Sequence, residues 1–115
     1  MLINLSNHPS LEWSDFQKNT AIELYQSIVD MEFPVISPNC SDLKIAQLAQ
    51  NYVKQLISLK PSAVHIMGEL NFTFICVTLL KSLGILCVAS TTQRVCAKKN
   101  NLKTSNFEFV QFREY

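Results

Sequence analysis

Residues 63–73 read AVHIMGELNFT, and this stretch indicates the fold class of the chain. Its first five residues are apolar apart from His65 and include β-branched side chains, which favours a strand buried on both faces. Gly68 then permits a tight turn, and residues 72–83 form an apolar run of helical length. A buried strand that leads directly into a helix is the repeating unit of parallel α/β sheets.

The same unit occurs three times along the chain. The predicted strands comprise residues 2–5, 27–33, 63–67 and 85–89. The predicted helices begin after Ser14, which forms a capping box with Gln17, after Ser41, and near Phe72. The first helix extends to about Gln26, Pro61 stops the second, and Gly84 suits the position after the end of the third.

The carboxyl-terminal segment has a different pattern, which predicts a β-hairpin. Residues 94–98 and 106–113 alternate as strands do, and the polar turn 99–101 separates them. In the second of these strands the apolar face switches between Phe109 and Val110. A β-bulge explains the switch, as does a second cover over the strand, which a dimer partner could supply.

Three strand–helix units require parallel strands joined by right-handed crossovers. We therefore predict one α/β domain over residues 1–115, a Rossmann-like three-layer sandwich with a mostly parallel sheet. The expected strand order is 2-1-3-4, with the hairpin added as an extension at one edge. The switch point then lies between the first and third strands, where open α/β sheets bind their ligands.

Composition limits the classes of function. The 115-residue chain has a net charge of +1, so it carries no general basic field for duplex nucleic acid. Only 17% of its residues are charged, which favours burial of surface in a homodimer. No apolar run approaches the roughly 18 residues that span a membrane, and no basic segment of a signal peptide is apparent, so we expect a cytoplasmic protein.

The four cysteines lack the spacing of metal ligands. We interpret them as free thiols of a cytosolic protein rather than as disulfides or a zinc site. The sequence shows no clear metal-ligand set and no glycine-rich dinucleotide fingerprint, so we predict neither a metal nor a cofactor.

The loop after the first strand offers the first candidate site residues: Asn7, His8 and Ser10. A histidine just past a strand end can act as a general base or bind phosphate, or it can be an ordinary turn residue. Trp13 follows closely. Its ring can stack on a purine, or it can pack as a hydrophobic staple in front of the first helix.

The turn before the third helix offers four more candidates for ligand binding: Gly68, Glu69, Asn71 and Thr73. The glycine allows close approach of the backbone to a ligand, and the free N–H groups of the helix attract anions. Glu69 at the switch point can bind ribose hydroxyls, or it can simply cap the helix.

Residues 90–94 follow the fourth strand and form the best candidate anion site. Ser90, Thr91 and Thr92 supply hydroxyl groups, and Arg94 supplies a guanidinium that binds phosphate in a bidentate manner. The alternative is a polar loop with an exposed arginine. His65, which lies inside the third strand, is interpreted as a core histidine with satisfied hydrogen bonds.

Three segments, NLSNHP at residues 4–9, HIMGE at residues 65–69 and VASTTQR at residues 88–94, carry a resemblance. On a small strand–helix chain they resemble CRISPR-associated stand-alone proteins with a Rossmann-like fold, of the CARF type found in type III systems. The small ring nucleases of those systems are among these proteins.

The resemblance implies that the chain binds a cyclic oligoadenylate second messenger in a cleft at a two-fold dimer axis. It further implies cleavage without a metal, in which a ribose 2′-hydroxyl attacks the adjacent phosphate and leaves a 2′,3′-cyclic end. Sensors of this type usually carry an effector domain, for which this chain has no room, so a degrader or a sponge is favoured. His8 is our candidate base and Arg94 our candidate cation for the transition state.

Two other classes of function remain open. A non-catalytic nucleotide-binding module, either a sponge or a sensor subunit, would use the same cleft without turnover. A protein-interaction subunit would instead pair its two-faced terminal strand with another protein.

Overall fold

The computed structural model describes residues 1–115 as five strands and three helices. The strands are β1 (Leu2–Ser6), β2 (Ile28–Glu32), β3 (Ala63–Met67), β4 (Leu86–Lys99) and β5 (Leu102–Glu114). The helices are α1 (Asp15–Tyr25), α2 (Asp42–Ser58) and α3 (Leu70–Ser82), and a short 3₁₀ helix, Ser10–Glu12, precedes α1.

All five strands form one mixed sheet in the order β2-β1-β3-β4-β5. The first four strands are parallel, and β5 pairs with β4 in the antiparallel direction. The predicted order 2-1-3-4 with a hairpin at one edge is therefore confirmed. The switch point lies between β1 and β3, as expected for this order.

The two faces of the sheet are covered differently. On one face, α2 and α3 pack over a core of 14 buried residues that includes Ile3, Leu5 and Ile66. On the other face, α1 covers a smaller cluster of Leu2, Trp13, Ala21, Ala63 and Val88. Because side chains alternate along a strand, the polar residues Asn4, Ser6 and His65 share this second face.

The helix boundaries follow the predicted caps. The Ser14 and Ser41 hydroxyls accept hydrogen bonds from the N–H groups of Gln17 and Lys44, at 3.1 and 3.2 Å. Gly84 follows α3 with a φ of +77°, a conformation that favours glycine. The capping box is only half formed, because the Gln17 side chain bonds to Ser90 rather than returning to Ser14.

One prediction about the sheet is wrong. Residues 90–94 do not form a loop after a strand that ends at residue 89, because β4 continues to Lys99 and pairs with β5 along its length. Asn100 and Asn101, both with positive φ, make the two-residue turn that closes this hairpin. Threonine side chains suit a strand, so the polar run was compatible with continued pairing. We call residues 92–109 the arm.

The predicted bulge in the last strand is confirmed. Thr91 pairs with Gln111 and Thr92 pairs with Phe109, so Val110 is the extra residue. The bulge places Phe109 and Phe112 on the same face, with ring centroids 4.8 Å apart. The apolar face of β5 therefore stays against α1 and the sheet.

None of the three helices combines the length and the apolar character needed to cross a membrane. The four cysteines are free thiols, and Cys76 and Cys87 lie in the core. Burial raises the pKa of Cys76 to about 12 and that of Cys87 to about 11, so both stay protonated at neutral pH.

Candidate functional site

A cleft of about 910 Å³ opens at the carboxyl ends of β1 and β3, between the middle of β4 and the start of α1. It lies at the switch point of the sheet, and its far wall comes from the base of the arm. The side chains that line the cleft are those of Ser6, Asn7, His8, Glu12, Trp13, Ser14, Phe16, Gln17, His65, Met67, Gly68, Ser90, Thr92, Phe107, Glu108 and Phe109.

Asn4 is the buried centre of a group of polar side chains behind this cleft. Its amide nitrogen donates to the backbone oxygen of His8 at 2.9 Å and to a carboxylate oxygen of Asp30 at 2.8 Å. Its amide oxygen accepts from the Ser6 hydroxyl at 2.8 Å and lies 2.8 Å from Nδ1 of His65. Asn4 and His65 are register partners on β1 and β3, which places the two side chains together.

His65 has one protonation state that satisfies these contacts. The Asn4 oxygen can only accept, so Nδ1 of His65 carries the proton. Burial lowers the pKa of His65 to about 4, and the charge of His8 adds to the effect, so the ring is neutral at pH 7. Its Nε2 then accepts a hydrogen bond from the Ser90 hydroxyl at 2.7 Å, and Gln17 donates to that hydroxyl at 3.0 Å.

Asp30 lies at the other end of this series of hydrogen bonds. Its carboxylate accepts from the backbone N–H and the hydroxyl of Ser10, at 3.1 and 2.9 Å, as well as from Asn4. Burial alone would raise the pKa of Asp30, but these hydrogen bonds outweigh it and lower the pKa. We call the series Asp30, Asn4, His65, Ser90 and Gln17 the polar chain.

The loop after β1 brings two of the predicted residues to the cleft. Asn7 and His8 are exposed and line it, whereas Ser10 is held on Asp30 and does not. The backbone oxygen of His8 accepts from the Trp13 indole at 3.2 Å as well as from Asn4, which fixes the loop in place.

Trp13 is 7% exposed and belongs to the core cluster under α1. Its ring meets His65 edge-on with centroids 5.3 Å apart and lies 6.0 Å from Phe112. A buried ring of this kind supports the structural alternative over a free stacking platform, although one part of Trp13 still forms the wall of the cleft.

The start of α3 contributes little to the cleft. The Glu69 carboxylate caps the helix, accepting from the N–H groups of Asn71 and Phe72 at 3.0 and 2.7 Å and from the Asn71 side chain. These bonds lower the pKa of Glu69. Neither Glu69 nor Asn71 lines the cleft, and Thr73 is buried beside a separate apolar cavity, its hydroxyl without a partner.

Gly68 lines the cleft, but packing explains why this position is a glycine. A Cβ atom at Gly68 would lie 2.2 Å from the ring of Phe33. The ring of Phe33 thus explains the glycine without a ligand, and the expectation that the backbone approaches a ligand here stays a prediction.

Residues 90–94 separate into two groups because they lie on a strand. Ser90 and Thr92 line the cleft, whereas the Thr91 hydroxyl bonds to the backbone of Gln111. Arg94 lies farther along the exposed arm, where its Nε donates to the Ser105 hydroxyl at 2.6 Å, and it does not line the cleft. The cleft lining of a single chain holds the carboxylates of Glu12 and Glu108 and no lysine or arginine.

Sequence reasoning missed most of the polar chain. Asn4 and Gln17 were not considered as site residues, and His65 was interpreted as a core residue only. A usable signal existed: β1 and β3 each carry one large polar residue, Asn4 and His65, between buried apolar neighbours. In adjacent parallel strands such residues face each other, and buried polar groups must be paired.

No curated protein and no solved structure gives a significant match to the chain. A protein-family comparison matches residues 1–113 to the family described as Uncharacterized protein MJ1673. The match covers nearly the whole chain, so the chain belongs to the MJ1673 family.

Proposed function

We propose that the chain binds a cyclic oligoadenylate in this cleft and cleaves the ring without a metal, as a cytoplasmic ring nuclease of type III CRISPR signalling. The observation that carries the proposal is the position of the cleft, at the switch point of a Rossmann-like three-layer sandwich and lined by His8, Ser90 and Thr92.

The walls of the cleft suit a nucleotide. Phe16, Phe107 and Phe109 line it beside Trp13, and aromatic faces stack on bases of any identity. Polar groups from β1, β3 and β4 lie between these rings. The volume of about 910 Å³ lies in the upper part of the range of small-molecule sites.

Binding of phosphates requires cations, and we propose that the arm supplies them. Arg94, Lys98, Lys99 and Lys103 make the arm basic, and all four side chains are exposed. In a two-fold dimer, the arm of one copy supplies these charges to the cleft of the other, whose own lining carries Glu12 and Glu108. The ligand then binds between two copies, which suits a ring with internal symmetry.

In this mechanism the ribose 2′-hydroxyl is the nucleophile. His8 accepts its proton, the 2′-oxygen forms a bond to the adjacent phosphorus, and the bond from phosphorus to the 5′-oxygen breaks. The 5′-oxygen takes a proton from water. Arg94 stabilises the charge on the phosphorane, and the product is a linear oligoadenylate with a 2′,3′-cyclic phosphate.

Radiolabelled cyclic tetra-adenylate and cyclic hexa-adenylate test the proposal when incubated with the protein in EDTA. We expect linear products with 2′,3′-cyclic ends. His8→Ala should slow cleavage about 100-fold while it still retards the label, because a general base contributes to the rate and not to binding. Asn51→Ala, an exposed position on α2, is the matched control.

The outcomes separate the competing functions. A label that is retarded but returned intact identifies a sponge or sensor. A label that is neither retarded nor cleaved contradicts nucleotide binding and favours a protein-interaction subunit, for which the exposed Val95, Leu102 and Phe107 of the arm are the specific observation.

A further inference from the structure

We infer that the Ser90 hydroxyl is a hydrogen-bond acceptor for the ligand, so the cleft selects a ligand that places a hydroxyl or amino donor there. The directions of the bonds in the polar chain carry this inference. The identity of the ligand as an oligoadenylate rests on the proposed function, but the direction of the bonds does not.

The hydrogen bonds of Asn4 set the direction of the bonds that follow. Both of its amide hydrogens are used, one on the His8 carbonyl and one on Asp30. Its oxygen therefore faces Ser6 and His65 and accepts from both. Since Nδ1 of His65 must donate, its Nε2 in the neutral ring has only a lone pair to offer.

This direction determines what Ser90 can do. Its single proton is committed to Nε2 of His65 at 2.7 Å, and one of its two acceptor positions is taken by the Gln17 amide at 3.0 Å. One acceptor position remains, and Ser90 lines the cleft. The free position can be filled only by a group that donates.

A phosphate at Ser90 is disfavoured for the same reason. To donate to a phosphate oxygen, the hydroxyl would have to turn away from His65 and leave Nε2 of a residue that is 2% exposed without a partner. The earlier expectation that Ser90 forms part of an anion site is therefore replaced by a donor-selective role.

A cyclic oligoadenylate presents two donors of this kind, the ribose 2′-hydroxyl and the adenine amino group. Both would fill the vacant acceptor position on Ser90 equally well in chemical terms. Rings that lack one donor at a time distinguish them: a 2′-fluoro ring keeps the sugar pucker but loses the hydroxyl, and a ring of purine riboside loses the amino group.

The direction of the bonds is tested first, without any ligand. A ¹H–¹⁵N correlation of the two histidines at pH 7 should show His65 with a protonated Nδ1 and an unprotonated Nε2, the His65→Gln variant serving to assign its signals. A proton on Nε2 of His65, whether in the other tautomer or in the imidazolium, overturns the inference.

A binding experiment measures the affinities of the adenylate, 2′-fluoro and purine-riboside rings at 4 °C. We expect the ring that lacks the recognised donor to bind about 10-fold more weakly to the native protein. Ser90→Ala should abolish this preference, and Ser90→Thr should keep it. Ser58→Ala, an exposed hydroxyl at the end of α2, should behave as the native protein does.

Equal affinity of the native protein for all three rings, or a preference that survives in Ser90→Ala, overturns the inference while the proposed function stands. If none of the rings binds, the proposed function is contradicted, and the histidine tautomer alone then decides the inference.

Discussion

His65 determines the electrostatics of the cleft because it is a buried histidine whose two nitrogens are both committed. Nδ1 donates to Asn4 and Nε2 accepts from Ser90, and the rings of Trp13 and Phe112 contact the imidazole edge-on. A proton added to Nε2 would displace the Ser90 hydrogen and place a charge in this apolar surrounding. The neutral ring is therefore part of the folded state.

Acid should weaken the fold through this residue. The pKa of His65 is about 4 in the folded chain, against an ordinary value of 6.5, so between these values the unfolded chain binds more protons. The free energy of unfolding should fall by about 2 to 3 kcal/mol as the pH drops from 7 to 4.5, and should not change through His65 above pH 7.

Urea denaturation of the native protein and of His65→Gln at both pH values measures this effect. The charge of His8 also lowers the pKa of His65, and the carboxylate of Asp30 lies at the end of the polar chain. Both groups are retained in the variant, which should lose clearly less stability on acidification. An equal loss in the two proteins would assign the acid sensitivity to other groups.

Single residues also show why the site was only partly predictable. Asn7 and His8 were identified because they follow a strand end, a rule that depends only on chain order. Ser90 was identified by the same rule, although β4 continues through it. Glu69 and Gly68 follow a strand end equally well, but a helix cap and the ring of Phe33 account for them. The role of Gly68 depends on its contact with Phe33, which is distant in the chain, and no local sequence pattern predicts such a contact.

The β4–β5 hairpin is the element in which prediction and structure differ most. Strand–helix periodicity predicted β1 to β3 and all three helices. The apolar face is well buried in β1, β3, α2 and α3, whereas α1 buries only Ala21 and leaves Phe16 and Ile22 exposed. The second half of β4 has no such face, since residues 92–99 are exposed, and its pairing with β5 keeps it extended. The hairpin was predicted from residue 94 onward, and only the pairing of residues 90–93 with β5 shows that this polar run is not a loop.

The bulge at Val110 gives β5 its packing role, and Phe112 provides the test. Its ring contacts Trp13, His65 and Tyr25, so Phe112→Ala should lower the free energy of unfolding by roughly 2 kcal/mol. Phe107 is 72% exposed, so Phe107→Ala should lower the free energy of unfolding by less than about 0.5 kcal/mol. Urea denaturation of both variants checks this, and similar losses would mean that the bulge does not orient β5 as described.

The molecule combines a compact sheet domain with a projecting basic arm, and its extents are 51 × 37 × 21 Å. A two-stranded ribbon on its own is only marginally stable, so contact with another surface would stabilise the arm. In the proposed dimer the arm contacts the second copy. Its arginine and lysine side chains then reach a cleft whose own lining contains neither residue type.

Mixed dimers test whether the arm acts on the second copy. His8→Ala and Arg94→Ala homodimers should both be inactive. After the two are unfolded and refolded together, half of the dimers contain one cleft with His8 and an opposing arm with Arg94, so activity should return to about a quarter of the native value. A mixture that stays inactive would mean that Arg94 does not act on the cleft of the other copy.

We propose a cyclic oligoadenylate as the ligand of the cleft at the switch point. A melting-temperature titration with cyclic tetra-adenylate and cyclic hexa-adenylate at 4 mM EDTA, on the order used to remove divalent metals, tests this binding. We expect one ring to raise the melting temperature in a saturable manner, and linear tri-adenylate at the same concentration to do so far less. Melting curves that coincide with and without every ring would contradict binding in the cleft.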